Sequence, residues 1–236
     1  MVNNKQIVIG LGEVGSAVLT NLVERYDVDT FDLSDEKIVE GEYDVLHICY
    51  PYSEDFVKIT KAYKKRFNPK VIIIYSTLKV GTTKQIPRAV HSPIEGVHPN
   101  LAKSTKNFRR YIGFNNRKVA SLARKIWYPI THKIRLVENS DITEFLKLAS
   151  TTEYGLNIEF TRYKSQVIYA LGGGYEIAKD WNKDYNKLYK AMGIDWARKY
   201  VLDAPEGPKG GHCVTPNARL LHEQYPNILV REVAEI

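Results

Sequence analysis

The sequence predicts an α/β fold: a parallel sheet with helices on both faces, followed by a smaller helical region. Three observations predict it. Short apolar runs rich in β-branched residues alternate with helix-period segments through the first half. The first of these runs ends in a glycine-rich turn that opens a helix. Beyond residue 137 the pattern changes to long helical stretches, broken only by "GGG" at 172–174. Residues 1–137 are therefore expected to form the sheet domain and residues 138–236 a helical domain.

The first strand is read at Ile7 to Ile9. It runs into Gly10-Leu11-Gly12-Glu13-Val14-Gly15, and then into a helix with Val18, Leu19, Leu22 and Val23 on one side. In this strand–turn–helix setting the first glycine permits the tight turn and the second lets the backbone approach a pyrophosphate. The third lets helix and strand pack closely, with the helix N-terminus facing the anion. "YDVDTFD" gives the second strand, and Asp32 ends it, seventeen residues after Gly15. A carboxylate there accepts both ribose hydroxyls and repels a 2′-phosphate, which favours NAD over NADP. Two further buried strands are read in "YDVLHICYP" and "KVIIIYST". Their C-terminal ends bring Tyr50, Pro51, Ser76 and Thr77 to the edge where open α/β sheets bind ligands. This is the pattern of a doubly wound Rossmann sheet. His47 and Cys49 lie within a strand and are read as packed.

At 236 residues and 44% hydrophobic the chain can bury a substantial core. No basic, apolar leader precedes "QIVIG" and no apolar run is long enough to cross a bilayer, so a cytoplasmic protein without membrane contact is expected. Two cysteines are too few for a disulfide framework. The net charge of +7 is concentrated in residues 96–137, which carry ten Lys and Arg and no Asp or Glu. One reading is a solvated basic surface; another is a field that draws in a small anion. No nucleic-acid motif accompanies it. His91, His98, His212 and Cys213 lack metal-ligand spacing, so no metal is expected.

In the second half, Asp141 and Glu144 fit an N-cap and its box partner. Glu144, Lys147, Thr151 and Tyr154 form one stripe, either a solvated face or a face turned to cofactor with Lys147 acting on substrate. Beyond the glycines the helix resumes from Tyr175 to Met192, with Ile177, Trp181, Tyr185 and Leu188 read as inward and Gly193 as its C-terminal cap.

"GLGEVG", "YSTLKVGTT", "TEFLKLASTTEYGLNI" and "GPKGGHCVTPNARLL" occur in the order of the UDP-glucose/GDP-mannose dehydrogenase family, which the chain resembles over nearly its whole length. The resemblance implies NAD as cofactor and an alcohol oxidised through an aldehyde held as a thiohemiacetal. It implies Cys213 as thiol nucleophile, Lys147 as an electrostatic or acid/base group, and Thr77 as a polar group near the reacting carbon. Gly210 and Gly211 leave room for substrate, and Lys209 and His212 set the charge around the sulfur. Central-helix pairing in the family implies a homodimer.

The departures are specific. Thr151 stands for the family's asparagine, and Asn217 for the aspartate four residues past the cysteine, so the usual base is missing. The carboxylate after the fifth strand is shifted by one place to Glu95, and His98 is a candidate substitute acid/base. Only 23 residues follow Cys213, so a short form without the nucleotide-sugar-binding domain is expected, acting on a small anionic or sugar-like substrate. Two alternatives stand beside this: a non-catalytic dinucleotide sensor or subunit, and a basic protein binding anions or nucleic acid.

Overall fold

The computed structural model describes residues 5–32, 40–96, 99–204, 206–207 and 213–235. They fall into two compact units, 1–147 and 148–236. The division lies inside a helix, ten residues beyond the expected 137/138 boundary.

The first unit is built on seven strands: β1 (Gln6–Ile9), β2 (Val28–Phe31), β3 (Val45–Ile48), β4 (Val71–Ile74), β5 (Ala89–His91), β6 (Arg110–Phe114) and β7 (Ile134–Glu138). Their order is β2-β1-β3-β4-β5-β6-β7. The pairing is parallel throughout except between β5 and β6, so the expected all-parallel sheet carries one antiparallel step. β1 is joined to β2 on one side and β3 on the other, which makes the β1/β3 border the topological switch point.

Both faces are covered, as the unbroken apolar strands require. Val8, Val45, Val71, Ile73 and Val90 turn to one side, packed with α1 (Glu13–Leu22), α3 (Leu101–Asn107) and α4 (Arg117–Trp127). Ile7, Ile9, Leu46, Ile48, Ile72 and Ile74 turn to the other, against Phe56 and Phe67 of α2 (Phe56–Phe67). Helix α4 is fixed at its start by Asn116, whose side-chain oxygen accepts the Lys118 and Val119 amides. It buries Val119, Ala120, Ala123, Ile126 and Trp127.

A polar chain runs through this core. Trp127 Nε1 donates to Tyr75 Oη at 2.8 Å, and Tyr75 Oη lies 2.8 Å from His47 Nδ1. His47 Nε2 lies 2.9 Å from Gln6 Oε1. A neutral imidazole with its proton on Nε2 satisfies the last two contacts. The Arg110 guanidinium lies 3.4 Å from the Trp127 ring centre and donates to Ser92 Oγ at 3.1 Å. Arg110, read from sequence as part of a basic surface or anion field, is a core residue. Lys106 pairs with Glu24, and Lys133 donates to the Asn107 carbonyl.

Helix α5 (Ser140–Ala170) passes from the first unit into the second. It begins one residue before Asp141, and the Asn139 side chain accepts the Asp141 amide at 3.0 Å. Asn139, at φ +73°, thus takes the capping role expected of Asp141.

The second unit adds α6 (Glu176–Ala191), α7 (Val214–Gln224) and α8 (Ile228–Ala234). Its core joins Val214 and Ala218 to Val233 and Ala234, with Leu156 against them. Helix α6 contradicts the sequence reading: it buries no residue, and Ile177, Trp181 and Leu188 are exposed. Its polar face is the one engaged within the unit. Asn182 and Asn186 donate to the Tyr200 and Lys199 carbonyls, and Asn186 accepts the Lys199 amide. Gly193 caps α6 as expected, at φ +72°.

Gly155 of α5 sets how closely α7 and α8 approach. A Cβ there would lie 2.5 Å from Val233 Cγ1 and 2.6 Å from Val214 Cγ1, both on stiff β-branched side chains. Gly155→Ala should destabilise the second unit by about 1–3 kcal/mol despite the better helix former. Urea unfolding followed by far-UV circular dichroism checks this; a variant as stable as the parent would refute the close packing.

Candidate functional site

The C-terminal ends of β1, β3 and β4 converge as the sequence requires. Gly10 turns the chain at φ +91°, and a Cβ on it would lie 2.7 Å from the Tyr50 amide nitrogen. A Cβ on Gly15 would lie 1.8 Å from the Gly10 carbonyl oxygen, so α1 rests directly on the turn. Gly12 is the N-cap of α1 and makes no side-chain cap, and the space beside its Cα is open. Glu13 and Val14 form the first turn behind it. The first amides of a helix have no intrahelical acceptors, so this end suits a phosphate.

Asp32 sits at the end of β2, half-buried, where its Oδ2 accepts the Leu11 amide at 2.6 Å. Sequence reasoning assigned Asp32 to a ribose or to the start of the turn after β2; the fold also uses it to pin the glycine turn. Ser76 Oγ donates to the Tyr50 carbonyl at 2.6 Å, and the Tyr50 hydroxyl meets Thr60 Oγ1 at 2.6 Å. Pro51 is exposed next to Tyr50, and Thr77 is half-buried directly after Ser76.

Further along the same edge, Lys147 donates to the Ile94 carbonyl at 2.8 Å. Glu95 follows. Partial burial raises its carboxyl above the usual value, opposed by the Lys147 and Arg110 charges. Glu144 is not on a solvated face: it is wholly buried and bonded to the loop after β4.

His91 was not singled out for this edge by the sequence. It is buried, with Nε2 3.1 Å from the Ser76 carbonyl and Nδ1 2.9 Å from Thr143 Oγ1. The carbonyl can only accept, so Nε2 carries the proton, and Nδ1 faces the Thr143 hydroxyl, which also lies 2.9 Å from the Ser140 carbonyl. Its position at the end of a strand, before Ser-Pro, was the available signal.

In the second unit Cys213 is exposed, in no disulfide, and stands at the N-cap of α7. Asn217, one turn on, is buried, and its Nδ2 donates to Thr151 Oγ1 at 3.2 Å; Thr151 in turn donates to the Leu148 carbonyl at 2.9 Å. The sequence picked out both residues, and the structure brings them together. His98, Lys209, Gly210, Gly211 and His212 lie outside the described residues. A groove of about 750 Å³ in this unit, lined by Arg162, Tyr169, Tyr175, Glu176, Asp203 and Glu206 among others, had no sequence signal. No group of metal-ligating side chains occurs among the described residues, and no helix is long and apolar enough to cross a membrane.

No family model and no curated protein matches the chain. Solved structures do. A UDP-D-ManNAc dehydrogenase from Pyrococcus horikoshii is similar with a TM-score of 0.80 at 19% identity, over 98% of this chain and 67% of that one. A UDP-glucose dehydrogenase from Pyrobaculum islandicum gives 0.75 at 15% identity, over 98% and 67%. The 3-hydroxyisobutyrate dehydrogenase of Mycobacterium tuberculosis, solved with L-serine, gives 0.73 at 14% identity, over 98% and 91%. At these identities the likeness establishes the fold: a Rossmann-like sheet unit followed by a helical one. The chain spans about two thirds of the length of the two UDP-sugar enzymes.

Burial lowers the pKa of His47 to about 3 and of His91 to about 4, with the Arg110 charge lowering the first further and the Lys147 charge the second. Both are therefore neutral in the fold, whereas an unfolded histidine titrates near 6.5. A depressed pKa gives stability that is full above about pH 6.5 and lost as pH falls toward 4 and then 3. NMR titration should show both imidazole C2 protons flat from pH 8 to 5. A midpoint between pH 6 and 7 for either would contradict its buried bonding.

Proposed function

We propose that the chain is an NAD-dependent oxidoreductase that oxidises a CH–OH group of a small anionic or sugar-like substrate. The observation that carries this is the glycine turn that opens α1, closed onto Gly10 by Gly15 and steadied by Asp32. The dehydrogenase activities named for the neighbouring structures support it. The residues fit the cofactor. Gly10, Gly12 and the Glu13–Gly15 turn hold the pyrophosphate, Asp32 the ribose, and Tyr50, Pro51, Ser76 and Thr77 the edge beyond. When bound, NAD supplies the hydride acceptor.

The chain's own groups do the rest. Lys147 is held by the Ile94 carbonyl, and its ammonium stabilises the oxyanion that develops as the alcohol is oxidised. Cys213 is the thiol that adds its S–H across the aldehyde carbonyl. A second oxidation would leave a thioester, whose hydrolysis requires a base to take a proton from water. Asn217 is an amide already donating to Thr151 and cannot take one. The reading is accordingly a two-electron oxidation. The near-complete mutual coverage with 3-hydroxyisobutyrate dehydrogenase favours a small hydroxy acid as substrate class.

The protein is further proposed to be a homodimer paired through α5. Exposed Phe160, Tyr163 and Val167 recur along its C-terminal half, and Leu171, directly after its end, is 82% exposed. Helix α6 adds Ile177, Trp181 and Leu188. Light scattering should give a dimer mass for the parent and a monomer for Leu171→Asp with Phe160→Asp; a monomeric parent would end the assembly proposal.

NAD titration followed by turnover of 3-hydroxyisobutyrate, UDP-glucose, UDP-N-acetylmannosamine and GDP-mannose tests the activity through NADH absorbance. Lys147→Ala should lower kcat by about 10²–10³-fold with little change in NAD affinity. One NADH should form per substrate oxidised. Two would restore the four-electron route, and NADH binding without turnover of any alcohol would favour a sensor.

A further inference from the structure

Glu144 is a carboxylate with no exposed surface. Its Oε2 accepts the Gly81 amide at 2.6 Å, and its Oε1 accepts the Thr83 amide at 2.7 Å and the Thr83 hydroxyl at 2.6 Å. All three donors come from one loop, the segment that follows β4, carries Ser76 and Thr77, and ends in the short 3-10 turn Thr83–Gln85. Every partner donates, so the carboxyl serves them as an acceptor, which is the role of its ionised form.

A second tie is independent of the first. His91 joins the Ser76 carbonyl, next to Thr77, to Thr143, next to Glu144. A third lies at the surface, where Lys84 pairs with Asp141 at 2.7 Å. Residues 141, 143 and 144 of the first turns of α5 thus hold the loop near its start, through its middle and at its end. Lys147 follows Glu144 by three residues on the same side of the helix.

We infer that Glu144 is a positioning residue of the dinucleotide site: it fixes the 76–83 loop against the turn of α5 that carries Lys147, so that Thr77 and Lys147 keep one separation. What the loop does rests on the oxidoreductase reading above; the clamp itself does not. The chemistry tolerates no close substitute. Glutamine turns an NH₂ toward backbone donors and leaves one of them orphaned. Aspartate, one methylene shorter, cannot span the same gap.

Three variants test this: Glu144→Gln, Thr83→Val and Thr83→Ser. The readouts are NAD affinity by titration, amide exchange over residues 78–86 by mass spectrometry, and the urea midpoint. Glu144→Gln should weaken NAD binding about tenfold or more and speed exchange in the loop. Thr83→Val, which removes one donor of three, should do both to a smaller degree, and Thr83→Ser, which keeps the hydroxyl, should match the parent. A purely structural role would lower the urea midpoint and leave NAD affinity of the folded protein unmoved. If Glu144→Gln does not fold, Thr83→Val decides. Folded variants that bind NAD as tightly as the parent overturn the inference while the oxidoreductase reading stands. A parent that binds no NAD, with the loop still loosened by Glu144→Gln, overturns the dinucleotide reading and leaves only the clamp.

Discussion

The ligand edge of the first unit depends on one contact, that of Gly15 with the carbonyl of Gly10. With 1.8 Å between that oxygen and an added Cβ, no side chain can stand there, and α1 sits against the end of β1 backbone to backbone. Gly10 repeats the arrangement toward β3, where the Tyr50 amide leaves no room for a Cβ. The end of β1, the start of α1 and the distant end of β3 are thereby fixed at the switch point of the sheet. Ser76 brings in the end of β4 through the Tyr50 carbonyl, and Asp32 the end of β2 through the Leu11 amide. The edge is rigid because backbone atoms make it, and side chains only pin it.

Behind that edge the core carries a charge. Removing a guanidinium from water is costly unless the surroundings compensate. Arg110 lies against the face of Trp127, where the ring quadrupole attracts it, and donates to Ser92. Burial lowers its pKa to about 10, opposed by Tyr75, Cys49 and Glu95, so it remains a cation at neutral pH. The same charge helps keep His47 neutral, and a neutral His47 can accept from Tyr75 while donating to Gln6. The cation and the polar chain therefore support each other, and a count of basic residues along the sequence overstates the charge offered to a ligand.

What the sequence revealed follows the range of the forces involved. Strands β1 to β4 and the Gly10–Gly15 turn were legible because apolar runs and glycines act locally. Thr151 and Asn217 were picked out through resemblance as separate departures, and their contact was not legible. The stripe on α6 was misassigned because periodicity reports an apolar face and not what covers it: its polar face is the one used within the unit, through Asn182 and Asn186. Glu144 was misread for a related reason. Three-residue spacing placed it beside Lys147, yet its partners are sixty residues away in sequence, in a loop whose path no local pattern gives. The helix start moved from Asp141 to Asn139 because a left-handed residue can still cap. The glycines and histidine before Cys213 lie outside the described residues, so the thiol is seen from its helical side alone.

That side is informative about polarity. In the resembled family the residue a turn past the lysine is an amide, able to donate, and the one a turn past the cysteine is a carboxylate, able only to accept. Here the direction is reversed. Asn217 donates to Thr151, and the Thr151 proton is committed to the Leu148 carbonyl. A carboxylate at 217 would be met only if the Thr151 hydroxyl turned from the Leu148 carbonyl to donate to it, giving up that bond in a site where 217 is only 8% exposed. The two departures are thus one change rather than two: threonine at 151 makes an amide the better partner at 217, and the amide in turn removes the base. On the oxidoreductase reading proposed above, chemistry at Cys213 that stops short of hydrolysis follows from that hydrogen bond rather than from any loss of the thiol.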